Sequence, residues 1–241
     1  MGVVPMRIPK PLLALSLFLS IACSPSSPAA PQRPPASVPP RQPATIMGME
    51  GASWLERDDR EDEERPEIVL AAMNLRDGDV VADIGAGTGY FARRMARAVG
   101  PGGKVYAEEI QPGMLKELRR MAAEEGITNI VTVRGTETDP KLPKGQMDWI
   151  LLVDVYHEFQ KPKAMLEKIR ASLKPNGRVA LVEYRAEDES ASNIAILHRM
   201  TAEQVLAEWL PAGFTLVQQI EDLPAQHLFI FALRRGAREV P

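Results

Sequence analysis

The stretch Val80–Ala92, VVADIGAGTGYFA, limits what this chain can fold into more than any other. Val80, Val81 and Ile84 read as the end of a buried strand, and Tyr90–Val99 reads as a helix. Between them lies the turn Gly85-Ala86-Gly87-Thr88-Gly89. Its glycines let the backbone turn sharply and leave no side chain between it and a ligand. The first N–H groups of the helix have no intrahelical partners and point at the same spot. A strand, a glycine loop and a helix in that order predict a nucleotide site at the carboxyl edge of a parallel sheet. A dinucleotide fingerprint would place its third glycine where helix and strand pack closely. Here that position is Tyr90 and the glycine falls one residue early, at Gly89. The spacing disfavours a nicotinamide oxidoreductase.

The first forty-five residues differ from the remainder. Arg7 and Lys10 precede the apolar run Leu12–Ala22, and the chain's one cysteine follows at Cys23. As a helix the run would span about 16 Å, against a hydrocarbon core of about 30 Å. It is too short to cross a bilayer and reads as a signal-peptide core. Residues 24–45 are rich in proline, serine and alanine, and predict an extended, disordered tether. A start at Met47 would instead leave a cytoplasmic protein. With Cys23 set aside, the folded part has no thiol, which excludes structural disulfides, cysteine metal sites and a cysteine nucleophile. The net charge of −3 gives no reason to expect nucleic acid.

Residues 46–74 predict a helical lid segment, broken at Pro66, with Trp54 over the site and Arg57 or Arg60 reaching a ligand carboxylate. A second strand, Lys104–Glu109, ends on two acids and leads through Pro112 into an amphipathic helix. An acid at the carboxyl end of a second strand reaches ribose hydroxyls in doubly wound sheets. The register gives that role to Glu109 and turns Glu108 away. Asn129–Val133 is a third strand, followed by Thr136 and Glu137. Met147–Val155 is almost continuously apolar, as a central strand buried on both faces requires. It delivers Asp154, Tyr156, His157 and Glu158 to the same edge. Lys174-Pro175-Asn176-Gly177 stops the next helix before a fifth strand, Arg178–Tyr184, and Arg185–Ile196 is a candidate substrate loop. Phe214–Ile220 and His227–Leu233 alternate as a closing antiparallel hairpin should.

Asp83-x-Gly85-x-Gly87-x-Gly89 resembles motif I of the class I S-adenosylmethionine-dependent methyltransferases. KVYAEEIQPGML resembles that family's second strand, ending in an acid before a proline-started helix, and LKPNGRVALVEY resembles its approach to strand five. WLER, VDVYHEF and LPAQHLFIF are similar to a bacterial subgroup, and Leu19-Ser20-Ile21-Ala22-Cys23 resembles a lipoprotein cleavage site. The resemblance implies a Rossmann-like α/β fold. It has a mostly parallel seven-stranded sheet, helices on both faces, a C-terminal antiparallel hairpin and a methyltransferase domain over 75–235. It implies S-adenosyl-L-methionine as cofactor, held by Asp83, Gly85, Ala86, Gly87, Thr88, Gly89, Glu109, Ile110, Thr136, Glu137 and Asp154. Thr136 stands where the family often has an acid toward adenine, so Glu137 or Asp139 takes that contact. It also implies a signal peptide over 1–23 and a membrane anchor through lipid on Cys23.

Methyl transfer needs alignment more than covalent help. A base serves only an acceptor that begins protonated. His157 is the candidate base, with Tyr156 orienting a small-molecule acceptor and Glu158 orienting His157. His198 and His227 read as structural, and no metal-ligand cluster is visible in the sequence, although acids near strand four leave a metal option open. The competing reading is a membrane-anchored binding module that kept this fold without catalysis.

Overall fold

The computed structural model describes residue 38 and residues 40–234; the signal-peptide region, Cys23 and most of the tether lie outside them. Two 3-10 turns, Met49–Gly51 and Trp54–Glu56, lead into α1 (Arg60–Glu64) and α2 (Pro66–Met73). The alternating core runs β1 (Val80–Ile84), α3 (Tyr90–Ala98), β2 (Lys104–Glu109), α4 (Pro112–Glu124), β3 (Ile130–Arg134), β4 (Met147–Val153), α5 (Pro162–Ser172) and β5 (Leu173–Arg185). Then follow the two-residue β6 (Arg199–Met200), α6 (Ala202–Trp209), β7 (Phe214–Ile220) and β8 (Gln226–Leu233). Prolines at the first turns of α2, α4 and α5 set helical φ where no N–H is needed. Thr201 and Gln204 close a capping box on α6.

The sheet order is β3-β2-β1-β4-β5-β8-β7, with β6 beside β5. The first five strands of that order pair in parallel, and β8 runs antiparallel to β5 and β7. Strand periodicity divides the core between two faces. Val81, Trp149, Leu151, Ala180 and Val182 pack with α2 and α3 on one side. Ala82, Ile150, Leu152, Val179 and Leu181 pack with α5 and α6 on the other. Burial on both faces is why β4 reads as an almost continuous apolar run, interrupted only at Asp148. β1 sits between β2 and β4, where the strand order reverses, and ligands of open parallel sheets bind at the carboxyl edge of that point.

Three boundaries depart from expectation. β5 begins at Leu173, so Lys174-Pro175-Asn176-Gly177 lies inside an irregular strand start, opposite the register shift between Met147 and Trp149. β4 ends at Val153, because Asp154 takes a left-handed backbone (φ 49°) and sends Tyr156–Glu158 into a 3-10 turn. Structure also starts before residue 46. Ala44 is buried, its N–H donates to the His157 carbonyl, and Arg41 is hydrogen-bonded to the domain. Among the described residues no helix is long and apolar enough to cross a membrane.

Candidate functional site

The carboxyl ends of β1, β2 and β4 surround a cavity of about 340 Å³. The glycine loop forms its floor. Gly85 and Gly87 have positive φ (70° and 53°), and a Cβ at Gly87 would press on Leu55 at 2.7 Å. Only glycine suits both the conformation and the approach. Glu109 lines the cavity, its carboxylate accepting from Gly87 N (3.0 Å) and Gln111 N (2.9 Å). A carboxylate has about four lone-pair sites, so two fixed amides orient it and leave acceptor capacity for a diol. Ile110, Thr136, Glu137 and Asp154 also line the cavity.

Glu108 corrects the register reading. It lines the cavity beside Glu109 and accepts from Gly85 N at 3.3 Å, because at a strand end both faces border the same opening. Asp83, Ala86, Thr88 and Gly89 are not among the lining residues. Asp83 is buried in β1. The Thr88 hydroxyl donates to Glu56 at 2.5 Å.

Acids dominate the electrostatics. Burial pushes the Asp83 carboxyl up to about 7 against the pull of Arg60. Burial, reinforced by the charge of Glu109, takes Glu108 up to about 8. Burial raises Glu109 too, against its backbone hydrogen bonds. Asp154 is raised strongly by burial and by the nearby charges of Glu64 and Glu183. Its Oδ2 accepts from Gln226 Nε2 at 2.8 Å, while Oδ1 has no partner among the described residues. Desolvation holds the carboxyls of this wall in their protonated forms, and a cation brought beside them would favour the ionised ones.

The turn after β4 supplies the remaining chemistry. Glu183, fully buried on β5, accepts from Tyr156 N (2.8 Å) and His157 N (3.3 Å) through Oε1, and its Oε2 holds His157 Nδ1 at 2.6 Å. Burial lowers the His157 pKa, but the charge and hydrogen bond of Glu183 outweigh it and the net shift is upward. His157 Nε2 lies 3.0 Å from His198 Nδ1. Glu183 therefore holds the orienting place expected of Glu158. Glu158 instead accepts from Met47 N at 3.0 Å, and burial raises it to about 7. His157, Glu158 and His198 line the cavity; Tyr156 does not. Its ring lies in the core against Trp209, and its hydroxyl donates to Glu208 at 2.6 Å.

Residues 46–60 cover the opening. Ile46, Met47, Trp54, Leu55 and Arg60 line it, while Arg57 does not. Arg60 is bound to Glu64 (2.8 Å) and the Leu55 carbonyl (2.7 Å), and Arg57 stacks on Trp54 and pairs with Glu63 and Glu64. Glu56 latches the cover to the loop by accepting from Thr88 and Arg93. Glu108, Glu183, His198 and Gln226 were not among the expected site residues. Glu183 carried a signal, a charge inside the apolar strand RVALVEY.

Residues 81–177 match a protein family described as "Methyltransferase domain". The ubiquinone/menaquinone biosynthesis C-methyltransferase UbiE of Cupriavidus metallidurans is 30% identical over 117 residues, 48% of this chain and 48% of that protein. Its counterpart in Burkholderia vietnamiensis is 31% identical over the same length. The chain thus spans about half the length of the curated relatives it matches. Among solved structures, a SAM-dependent methyltransferase from Aquifex aeolicus shares the fold with a TM-score of 0.73 at 22% identity, over 77% of this chain and 98% of that one. A TehB-like SAM-dependent methyltransferase from Corynebacterium glutamicum gives 0.59 at 15%, over 77% and 97%. The fold is the Rossmann-like class I methyltransferase fold, as the sequence led one to expect, and residues 81–177 carry the match to a methyltransferase domain.

Proposed function

We propose that this chain, with a methyltransferase domain over residues 81–177 and a class I methyltransferase fold, transfers a methyl group from S-adenosylmethionine to a small-molecule acceptor. The observation that carries the reading is the acid-walled cavity over the glycine loop, with Glu109 fixed by two backbone amides at its edge. The residues fit the cofactor. Gly85 and Gly87 leave room for close backbone approach, Glu109 is placed to accept from a ribose diol, and Asp154 and Glu108 present carboxyls to a cationic group. The cofactor supplies a methyl group made electrophilic by a sulfonium. The cover residues exclude water, and His157, oriented by Glu183, is placed to take a proton from the acceptor. Ile46, Met47, Phe159, Met165 and Ile194 in the lining favour an acceptor with an apolar body. The acidic net charge of the chain favours no nucleic-acid partner. The lipoprotein-like signal ending at Cys23 favours an extracytoplasmic, lipid-anchored location.

Titration of the purified chain with S-adenosylmethionine and with NAD tests the reading. Saturable binding of the first alone is expected. Glu109→Ala should weaken it by one to two powers of ten, since a hydrogen bond to a charged group contributes roughly 1.5–3 kcal/mol and about 1.4 kcal/mol is tenfold. Preference for NAD, or unchanged affinity in a folded Glu109→Ala chain, would remove this function.

A further inference from the structure

His157, Glu158 and His198 each bring a ligand atom to one wall of the cavity, all within 4.8 Å of one another. We propose that they form a binding site for a divalent transition cation of the zinc type. Two imidazoles and one carboxylate are the donor set of catalytic zinc, in which three protein ligands leave a further position open. With bonds of about 2.0–2.1 Å, tetrahedral neighbours stand roughly 3.3 Å apart. His157 Nε2 and His198 Nδ1 are already 3.0 Å apart, so the pair needs to open by only a few tenths of an ångström.

The supporting shell fits the same assignment. Glu183 holds His157 by Nδ1 at 2.6 Å, which directs Nε2 toward His198, and a carboxylate on the far nitrogen is the usual partner of a metal-bound histidine. The two facing nitrogens must share either a proton or a cation. Glu158 has one oxygen on Met47 N, leaving the other for the ion. His198 ends a short turn (Ile196–His198) beside the exposed Ile196 and Leu197, on a loop with room to adjust. The ligands come from two segments 41 residues apart, which is why no spacing in the sequence betrays them. If methyl transfer is the function, the open position faces the cavity and takes the acceptor's oxygen or sulfur, and the ion replaces His157 as the group that promotes loss of the acceptor's proton.

The test needs no methyl donor, so its outcome is independent of that function. The untagged chain is stripped with a chelator and titrated with Zn²⁺ against a chromophoric competitor. One ion per chain is expected. His198→Ala, at a partly exposed position, should weaken binding on the order of a hundredfold or more, and Glu183→Gln by roughly ten- to a hundredfold. His227→Ala should leave it unchanged, because that imidazole is bound to Glu221 and Glu187. Circular dichroism checks that each variant is folded. Failure of the folded native chain to take up one equivalent, or equal affinity in His198→Ala and His227→Ala, would overturn the site and leave the pair sharing a proton.

Discussion

Tyr156 and Glu183 show how single residues were read, and misread, from the sequence. A tyrosine next to His157 at a strand edge invites a role toward substrate, yet strand ends turn, and one turn of 3-10 helix puts Tyr156 in the core. Tyr156→Phe should leave turnover within about twofold while costing roughly 1–2 kcal/mol, the loss of a hydrogen bond to Glu208. Denaturant melts read the second effect; lost turnover at full stability would return the hydroxyl to the site. The charge of Glu183 inside an apolar strand marked it as unusual, but its partner lies 26 residues away and the Asp154–Gln226 pair spans 72. Periodicity and local motifs report only what lies within a turn or a strand, so the glycine loop and Glu109 were legible and these pairings were not.

Among the elements, the parallel strands and their helices followed from alternation and apolar runs, but the start of the folded region did not. Proline-rich composition argues for a tether to residue 45, since such a segment buries little apolar surface. Arg41 overrides composition with polar bonds, donating to the His157 carbonyl (2.8 Å), the Phe159 carbonyl (3.1 Å) and Glu208 (3.1 Å). Arg41→Ala should therefore destabilise the domain by about 2–3 kcal/mol and loosen the cover that continues through Met47. Urea unfolding, with limited proteolysis of residues 41–60, measures both. An unchanged midpoint would restore the composition-based boundary.

For the molecule as a whole, Glu108 in the cavity wall and Asp83 buried beside it tie ligand to pH. Asp83 and Glu108 have ordinary values of 3.8 and 4.5 and stand at about 7 and 8 in the fold. The native chain therefore keeps protons that the unfolded chain releases. Their contribution to stability is full below the ordinary values and is lost as pH rises through about 7 and 8. A cationic ligand prefers the ionised acids, so its affinity rises over the same window. Melting temperatures with and without S-adenosylmethionine should diverge from about pH 5 to about pH 8; a ligand-induced gain that shrinks with pH would contradict the charge assignment.

The place of β8 in the sheet also bears on how the chain is made. It lies between β5 and β7, although β5 ends at Arg185 and β8 begins at Gln226. Gln226 is the residue that reaches Asp154. During synthesis the growing sheet must therefore wait with an open edge for some forty residues before its penultimate position is filled. A nascent chain arrested before β8 would present β5 unpaired on that side, open to chaperones, and would leave Asp154 without the Gln226 amide. The hydrogen bond that fixes Asp154 at the cavity edge thus arrives late, with the C-terminal hairpin.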